Sequence, residues 1–371
     1  MSDVRFMQRA LELARRGRGW VNPNPLVGAV VVRDDTIVGE GFHPKVGEPH
    51  AEVFALREAG EKAQGATIYV TLEPCNHWGR TPPCTKSIIE AGIKHVVAAS
   101  WDANPLTARE SRETLEAAGV TLSVGMLEAE ARLLNEPFFH FIRTRRPFVV
   151  MKTAMTLDGK IATPSGHSQW ISGETSRAHV QELRATYAGV MAGIGTVLAD
   201  DPSLTCRLPG AHPPARIIVD PRAETPPTAK LFADPSPVIL AIAPSAPPER
   251  RRALEARGAT LLEVPHADNG RHLDLDALMT LLGERGIDSL LLEGGGGLNA
   301  SSLRAGIVSK VVAFVAPKLL AGDGIPPTHG PAFATMDQAL RLRDLTCHAS
   351  GEDVRLEAYL DPLPAIPKPA E

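Results

Sequence analysis

Short apolar segments alternate with amphipathic segments along nearly the whole chain, and this alternation restricts the possible folds more than any other feature. In the first half, it predicts strands at residues 26–32, 36–38, 67–72 and 95–99, and helices at 6–16, 50–63, 87–91 and 110–118. In the second half, it predicts strands at residues 148–152, 189–192, 216–219, 238–243, 289–292 and 310–315, and helices at 176–186, 248–256, 275–284 and 299–305. Because alternating strands and helices are typical of α/β domains, we predict an α/β fold for both halves.

The length of the chain, 371 residues, predicts two domains, because a single hydrophobic core rarely grows to that size. Pro147 follows an arginine cluster, Arg143, Arg145 and Arg146, and precedes a predicted strand. We place the boundary there and predict domains at residues 1–146 and 147–371. The cluster is interpreted as a solvated linker, with a phosphate contact as the alternative. Residues 362–371 are rich in proline, which predicts a disordered tail.

Charge and composition exclude several classes of protein. The formal net charge is −4 and no basic stripe is visible, which argues against a nucleic-acid partner. No apolar run is long enough for a membrane span, and the N-terminus lacks the apolar core of a signal peptide. Four cysteines in a chain of this length do not indicate a disulfide framework. We therefore expect a cytoplasmic protein without a membrane or nucleic-acid partner.

One histidine and two cysteines have the residue types and the context of a zinc site. His50 opens a predicted helix, and Cys75 and Cys84 lie in a segment that follows a predicted strand. A catalytic zinc takes three protein ligands and leaves its fourth position to water. We expect both cysteines to lie where a strand ends and a helix begins, because helix N-termini stabilise thiolates. The predicted zinc ligands are therefore His50, Cys75 and Cys84.

Glu52 lies two residues after His50, beside the predicted metal rather than on it. Zinc lowers the pKa of its bound water, and Glu52 can carry the released proton to a leaving amine. A His-x-Glu segment followed by Pro-Cys is the pattern of zinc nucleobase deaminases. Eight residues separate the cysteines here instead of the usual two, which argues against an ordinary cytidine or transfer-RNA deaminase. A closed structural zinc with His77 as fourth ligand is the alternative, but it gives no reason for Glu52.

Five segments carry a resemblance to a known family, and they lie at residues 22–28, 47–49, 50–52, 69–75 and 79–84. In these segments the chain resembles the bifunctional riboflavin-biosynthesis deaminase/reductase family, which shows the same long spacing between its cysteines. The resemblance implies a cytidine-deaminase-like three-layer fold for the first domain. It also implies that the substrate is diaminohydroxyphosphoribosylaminopyrimidine.

Four further polar residues match family positions that face this substrate: Asn24, His43, His77 and Arg80. The guanidinium fork of Arg80 suits phosphate oxygens. Two alternatives stay open, because Asn24 also fits a turn between two prolines and His43 also fits an ordinary surface position. The segment 106–111 departs from the family, since it lacks the usual glycines and contains Glu110. The substrate-phosphate contact of this loop is therefore in doubt, although Arg109 offers a basic group.

The second half contains three motifs in a fixed order, at residues 152–162, 195–202 and 293–297. The last is a glycine run between an apolar strand and a helix, where backbone amides can hold a phosphate. On its own such a run fits a flexible loop equally well, and it is not the G-x-G-x-x-G of a dinucleotide-binding Rossmann unit. Together the three motifs resemble the dihydrofolate-reductase-like α/β domain of the same family.

The resemblance assigns residues to two ligands in this second domain. Those expected to face NADPH are Ala154, Trp170, Thr196, Asp200, Gly295, Gly296 and Gly297. Those expected to face the phosphoribosyl substrate are Ser168, Arg184, Leu204, Arg207 and Glu293, with Arg184 and Arg207 as the phosphate partners. Lys152 emerges from a predicted strand, and we expect it to contact the sugar. Alternatively, Arg184 lies on a solvated helix face and Trp170 belongs to the core.

Taken together, these features predict deamination of a pyrimidine ribotide in the first domain and NADPH-dependent reduction of its ribosyl group to ribityl in the second. The predicted cofactors are Zn²⁺ and NADPH, and the family implies a homo-oligomer. Two rival hypotheses are a nucleic-acid-editing deaminase with an unrelated second domain and a zinc-binding scaffold without catalysis. The acidic net charge and the cysteine spacing argue against the first, and four protein ligands on zinc would support the second.

Overall fold

The structure is a computed structural model that describes residues 2–78, 82–104, 110–267, 270 and 272–360. The described residues divide into two compact units, of which the first ends at Thr144 and the second begins at Arg145. Each unit contains its own β-sheet.

The first unit is built on a five-stranded mixed sheet. Its strands are β1 (Gly28–Arg33), β2 (Thr36–Phe42), β3 (Thr67–Val70), β4 (His95–Ala98) and β5 (Thr121–Val124). They lie in the order β2-β1-β3-β4-β5, with β1 antiparallel to both neighbours and β3, β4 and β5 parallel. The helices are α1 (Ser2–Ala14), α2 (Ala51–Ala59), α3 (Cys84–Glu90), α4 (Glu110–Ala117), α5 (Glu128–Leu134) and α6 (Glu136–Thr144).

The two faces of this sheet bury different helices, which gives three layers. Successive strand residues point to opposite faces. In β1, Ala29 and Val31 join one apolar cluster with residues of α2, α3 and α4, whereas Val30 and Val32 join another with residues of α1. The strand and α1 approach closely at Gly28, where a Cβ atom would lie 2.0 Å from the Ala10 carbonyl oxygen. The predicted three-layer architecture of the first domain is confirmed.

The second unit is built on a nine-stranded sheet. Its strands are β6 (Phe148–Thr156), β7 (Gly189–Gly193), β8 (Ala215–Val219), β9 (Val238–Ile242), β10 (Thr260–Glu263), β11 (Ser289–Leu292), β12 (Lys310–Ala316), β13 (Arg343–Ser350) and β14 (Asp353–Tyr359). The order is β10-β9-β8-β7-β11-β6-β12-β14-β13. The strands from β10 to β12 are parallel, and the hairpin of β13 and β14 is antiparallel.

Five helices connect these strands: α7 (Glu174–Thr186), α8 (Ile194–Asp200), α9 (Pro248–Glu255), α10 (Leu275–Glu284) and α11 (Gly296–Arg304). Both faces of the sheet are covered, because Phe148 and Val150 of β6 join one core cluster while Val149 and Met151 join the other. Strands buried on both faces have continuous apolar sequences. This explains why the apolar runs of the second half predict its central strands.

Several predicted elements have different bounds in the structure. The helix predicted over residues 50–63 ends at Ala59 and continues as a 3-10 turn, and β6 extends beyond Lys152 to Thr156. Four 3-10 turns are described: Arg15–Gly17, Gly60–Ala63, Lys230–Phe232 and Met336–Gln338. Sequence reasoning missed β5, α5, α6, α8, β10 and the hairpin of β13 and β14. Among the described helices, none combines the length and the apolar character needed to cross a bilayer.

The arginine cluster near the boundary is not simply solvated. Arg146 forms an ion pair with Asp276, and its guanidinium also donates to the Asp276 carbonyl, which attaches the start of the second unit to α10. The predicted tail at residues 362–371 lies outside the described residues.

Candidate active sites

The three predicted zinc ligands meet at the beginnings of two helices. His50 is the N-cap residue of α2 and Cys84 is the first residue of α3, while Cys75 lies in the segment between β3 and α3. The His50 Nδ1 atom lies 3.2 Å from Cys84 Sγ and 3.5 Å from Cys75 Sγ. All three ligand atoms lie within 4.8 Å of one another. This is the one such group of three or more histidine, cysteine or acidic side chains within the described residues.

This arrangement fits zinc. Nitrogen and sulfur atoms at their usual bond lengths from a tetrahedral Zn²⁺ lie about 3.5 Å apart. The three protein atoms leave the fourth position open, which is the ligand number of a catalytic site rather than a structural one. His77 is exposed and is not part of the group, so the structural-zinc alternative lacks its fourth ligand.

Cys75 is not at the start of a helix, and this part of the prediction is wrong. The prolines that precede Cys84 delay the helix until Cys84 itself, because proline lacks the N–H that a helix interior needs. The first amide of α3 nevertheless reaches Cys75, since the Cys84 N–H donates to Cys75 Sγ at 3.4 Å. The Thr85 N–H donates to the Cys75 carbonyl at 3.2 Å, which fixes the loop against the helix.

The cluster stabilises a thiolate and an imidazolium. A hydrogen bond from Cys84 is the main cause that lowers the pKa of the Cys75 thiol to about 4, and the hydrogen bond with Cys75 raises the pKa of His50 to about 9. Zinc binds thiolates and neutral imidazole, so metal binding releases protons and depends on pH.

Glu52 lies in the first turn of α2, beside the ligands. Its side chain is buried, and Oε2 has no hydrogen-bond partner within the described residues. Burial is the main cause that raises the pKa of this carboxyl, and the positive charge of His50 opposes the shift. A raised pKa makes a carboxylate a stronger base, which suits a group that accepts a proton and returns it.

His43 is buried, which excludes the alternative of an ordinary surface histidine. Its Nδ1 atom donates to the Pro49 carbonyl at 3.1 Å, and its Nε2 atom accepts from the Asn24 amide at 3.3 Å. Burial lowers the pKa of His43, in agreement with a neutral ring. The structure therefore brings Asn24 and His43 together next to His50, whose ring meets that of His43 edge-on at a centroid distance of 5.4 Å. Arg80 and the loop at residues 105–109 lie outside the described residues.

Sequence reasoning missed a role for Glu73, although it lies in the quoted segment 69–75. Its carboxylate is buried and accepts from Ser111 Oγ at 2.6 Å and from the Asp102 N–H at 3.2 Å. Glu73 thus connects the segment that carries Cys75 to the chain that follows β4. An acidic residue directly before Pro-Cys was the signal that could have identified it.

In the second unit, an ion cluster forms around Glu293 at the carboxyl end of β11. Arg184 Nε and Nη2 donate to the two Glu293 oxygens at 2.6 and 3.0 Å, and Lys152 Nζ lies 3.7 Å from Oε2. Burial favours the neutral acid, but the charges of Arg184 and Lys152 outweigh it and hold the pKa of Glu293 below its usual value. Arg184 Nη1 also donates to the Thr205 carbonyl at 3.0 Å. The alternative of a solvated Arg184 is therefore wrong.

The glycine run at residues 294–297 has two kinds of position. A Cβ atom on Gly294 would lie 2.8 Å from Asn299 Oδ1, and one on Gly296 would lie 2.6 Å from the His329 ring, so internal packing already requires glycine there. At Gly295, the N-cap of α11, the nearest atom would be Thr196 Oγ1 at 3.7 Å. The backbone is thus open at Gly295, which fits a phosphate group approaching the first amides of this nine-residue helix.

The remaining predicted residues lie in varied environments. Ala154, Ser168 and Thr196 are half-buried, Leu204 is buried, and Arg207 and Asp200 are exposed. Trp170 is 63% exposed, so it does not belong to the core, and the Arg177 guanidinium lies 4.7 Å from its ring centroid. The backbone of the same segment is held by Lys318 Nζ, which donates to the Trp170 carbonyl at 2.7 Å.

Comparison with known proteins matches each half of the chain to a known family. The family of the cytidine and deoxycytidylate deaminase zinc-binding region matches residues 1–100, and that of the RibD C-terminal domain matches residues 147–356. Riboflavin biosynthesis protein RibD of Actinobacillus pleuropneumoniae is 46% identical over 359 residues, which cover 96% of this chain and 95% of that protein.

Two structures are similar over almost the whole chain. RibD of Acinetobacter baumannii has a TM-score of 0.86 and 40% identity, with 96% of this chain and 98% of that chain covered. The diaminohydroxyphosphoribosylaminopyrimidine deaminase/5-amino-6-(5-phosphoribosylamino)uracil reductase of Thermotoga maritima has a TM-score of 0.85 and 37% identity, with the same coverage.

The fold and the sites define a bifunctional enzyme in which a zinc-dependent deaminase is joined to an NADPH-dependent reductase. The chain belongs to the RibD family of riboflavin biosynthesis. The fold, the activity class and the cofactors expected from the sequence are thereby confirmed.

The first prediction concerns the metal. The double variant Cys75→Ser, Cys84→Ser should lose zinc and deaminase activity, because a single imidazole remains in the site. Metal analysis of protein purified without chelator should give about one zinc per chain for the wild type and for the control Cys206→Ser. Full zinc content together with full deaminase activity in the double variant would disprove the ligand assignment.

The second prediction concerns the ion cluster. At neutral pH, Glu293→Gln should destabilise the second unit by about 3–5 kcal/mol, because it leaves buried cations unpaired. Since the folded-state pKa lies below 4.5, the stabilisation by Glu293 is present above pH 4.5 and is lost as the pH falls further. The difference between wild type and variant in denaturant unfolding should therefore shrink in acid. Glu255→Gln, at an exposed position, is the control, and a pH-independent difference for Glu293→Gln would contradict the prediction.

Proposed function

We propose that the chain deaminates diaminohydroxyphosphoribosylaminopyrimidine and then reduces the ribosyl group of 5-amino-6-(5-phosphoribosylamino)uracil to ribityl with NADPH. The observation that carries the proposal is the three-ligand group His50, Cys75 and Cys84 with the buried acid Glu52 beside it. We assign deamination to residues 1–146 and reduction to residues 147–371. The division into compact units between Thr144 and Arg145 supports this assignment.

In the deaminase, Glu52 moves the proton. Zinc, when bound, acidifies the attacking water. Glu52 accepts the proton of the water and delivers it to the departing amine. Its Oε2 atom has no hydrogen-bond partner within the described residues, so it can hydrogen-bond first with the water and then with the amine. Asn24, His43, His77 and Arg80 bind the substrate, and Arg80 contacts its phosphate. His43 has both ring nitrogens engaged inside the protein, so it presents a neutral, immobile edge to the pyrimidine.

In the reductase, two groups of residues hold the two ligands. Ala154, Trp170, Thr196, Asp200 and the glycines Gly295, Gly296 and Gly297 bind NADPH, which supplies the hydride. Ser168, Leu204, Arg207, Arg184, Lys152 and Glu293 bind the phosphoribosyl substrate. Arg184 donates hydrogen bonds to both carboxylate oxygens of Glu293. Arg207 is exposed, and its hydrogen bond to the Gln181 side chain is made by its backbone N–H. We therefore place the substrate phosphate on Arg207 and a sugar hydroxyl near Lys152 and Glu293.

The cytoplasm is the location that we propose for these reactions. Zinc binding needs Cys75 and Cys84 as free thiolates, and a reducing compartment keeps thiols in that form. Both are free cysteines in the structure.

The third prediction separates the two activities. Glu52→Gln keeps the shape of the side chain and removes the base, so the deaminase rate should fall by about a hundredfold to ten-thousandfold. Zinc should stay bound, and reduction of already deaminated substrate should be unchanged. Asp200→Asn should weaken reduction and leave deamination unchanged. Each step is assayed separately on folded protein, and loss of both steps in Glu52→Gln would contradict the proposed division of labour.

We also propose that two copies of the chain associate through β13. Within the described part of the chain, this strand is the edge of the nine-stranded sheet, and seven of its eight residues are exposed. Leu345 within this strand and Leu340 and Leu342 just before it are exposed apolar side chains. An exposed edge strand presents backbone N–H and C=O groups that can pair with another chain, and two copies of one strand can pair antiparallel across a two-fold axis.

The fourth prediction tests this association. Sedimentation velocity should show a dimer for the wild type and a shift towards monomer for Leu345→Lys, because the new charge would lie in the interface. Leu133→Lys, at an exposed leucine of α5, should leave the dimer intact. A dimer unaffected by Leu345→Lys, or a monomeric wild type, would refute the β13 interface.

A further inference from the structure

Asn135 separates α5 from α6 and is buried, with 2% of its surface exposed. Its Oδ1 atom accepts from the Leu26 N–H at 2.8 Å, and its Nδ2 atom donates to the Leu26 carbonyl at 2.9 Å. One side chain thus satisfies both backbone groups of a loop residue that lies 109 positions earlier in the chain. A primary amide can do this because it carries an acceptor and a donor side by side.

The neighbours of Asn135 in the chain pack against two separate apolar clusters. Leu134 packs against the cluster of Ala14, Val21 and Leu26. Phe138 and Phe139 of α6 pack with Leu72, one residue before Glu73. The junction of α5 and α6 therefore supports both the loop before β1 and the segment that leads to Cys75.

The loop that Asn135 grips is the one that holds His43. The Val27 carbonyl, one residue after Leu26, accepts from the His43 N–H at 2.9 Å. Asn24, two residues before Leu26, bonds the His43 ring through its side chain. A shift of Leu26 would therefore move both supports of His43 together.

His43 is hydrogen-bonded to the residue next to the predicted zinc ligand His50. Its Nδ1 atom donates to the carbonyl of Pro49, the residue directly before His50. The contacts form a continuous series from Asn135 through Leu26, Asn24 and His43 to the start of α2.

From this series we propose that Asn135 is a positioning residue of the deaminase: it sets the placement of Asn24 and His43 without touching the substrate. The inference rests on the proposed deaminase function. Small displacements of binding groups are costly, since misplacement by about 1 Å can reduce a rate by about a hundredfold. Loss of the Asn135 contacts should therefore weaken binding of the pyrimidine, because Asn24 and His43 are displaced. The metal ligands and Glu52 are unchanged.

The test uses Asn135→Leu, which keeps the approximate size and removes both hydrogen bonds, and Asn135→Asp, which keeps the acceptor but places a carboxylate oxygen against the Leu26 carbonyl. For the full-length zinc-loaded enzyme, KM for diaminohydroxyphosphoribosylaminopyrimidine should rise by about tenfold or more in both variants, with a smaller change in kcat. Zinc content and the reductase rate with deaminated substrate should equal those of the wild type.

Leu122→Ala controls for general destabilisation of the same unit. Leu122 is buried in β5, at the edge of the sheet opposite β2 and away from the Leu26 loop. The Leu122→Ala variant should have a lower melting temperature than the wild type and an unchanged KM. An unchanged KM in Asn135→Leu, or an equal rise in Leu122→Ala at matched stability, would overturn the inference, as would zinc loss from Asn135→Leu. A wild type without deaminase activity would instead refute the proposed function.

Discussion

The convergence of one imidazole nitrogen and two sulfurs at the beginnings of α2 and α3 is the constraint on which the first unit depends. His50, Cys75 and Cys84 come from separate segments, yet their ligand atoms lie within 4.8 Å of one another. Three ligand atoms this close are held only if α2, the loop after β3 and α3 keep their relative positions. The buried hydrogen bonds of Glu73, Thr85 and His43 provide that rigidity, because each joins two of the segments that carry or flank a ligand.

The second unit contains a largely buried cluster of charged side chains. Glu293, Arg184 and Lys152 place one negative and two positive side chains in a largely buried site. Burying charges costs free energy, and a cluster of this kind persists when hydrogen bonds compensate for lost hydration. The bidentate pair of Arg184 with Glu293 and its contact with the Thr205 carbonyl supply them. The cluster as a whole carries one net positive charge.

Sequence patterns predicted well the features whose cause is local. Apolar runs identified the central strands β7, β8, β9 and β11, since strands buried on both faces have no polar alternation. The hairpin of β13 and β14 was missed because its first strand is exposed and lacks an apolar pattern. Residue types and spacing identified the zinc ligands, but the helix expected at Cys75 was wrong because it does not begin before Cys84.

The sequence by itself determined which residues can bind zinc, that the fold is α/β and which family the chain resembles, because these follow from residue type and short-range spacing. Only the tertiary structure decided that His43 is buried, that Arg184 pairs with Glu293, and that Asn135 grips Leu26. The second and third of these features are contacts between residues that are far apart in the chain. Such contacts depend on the packing of whole helices and strands, which no local pattern encodes.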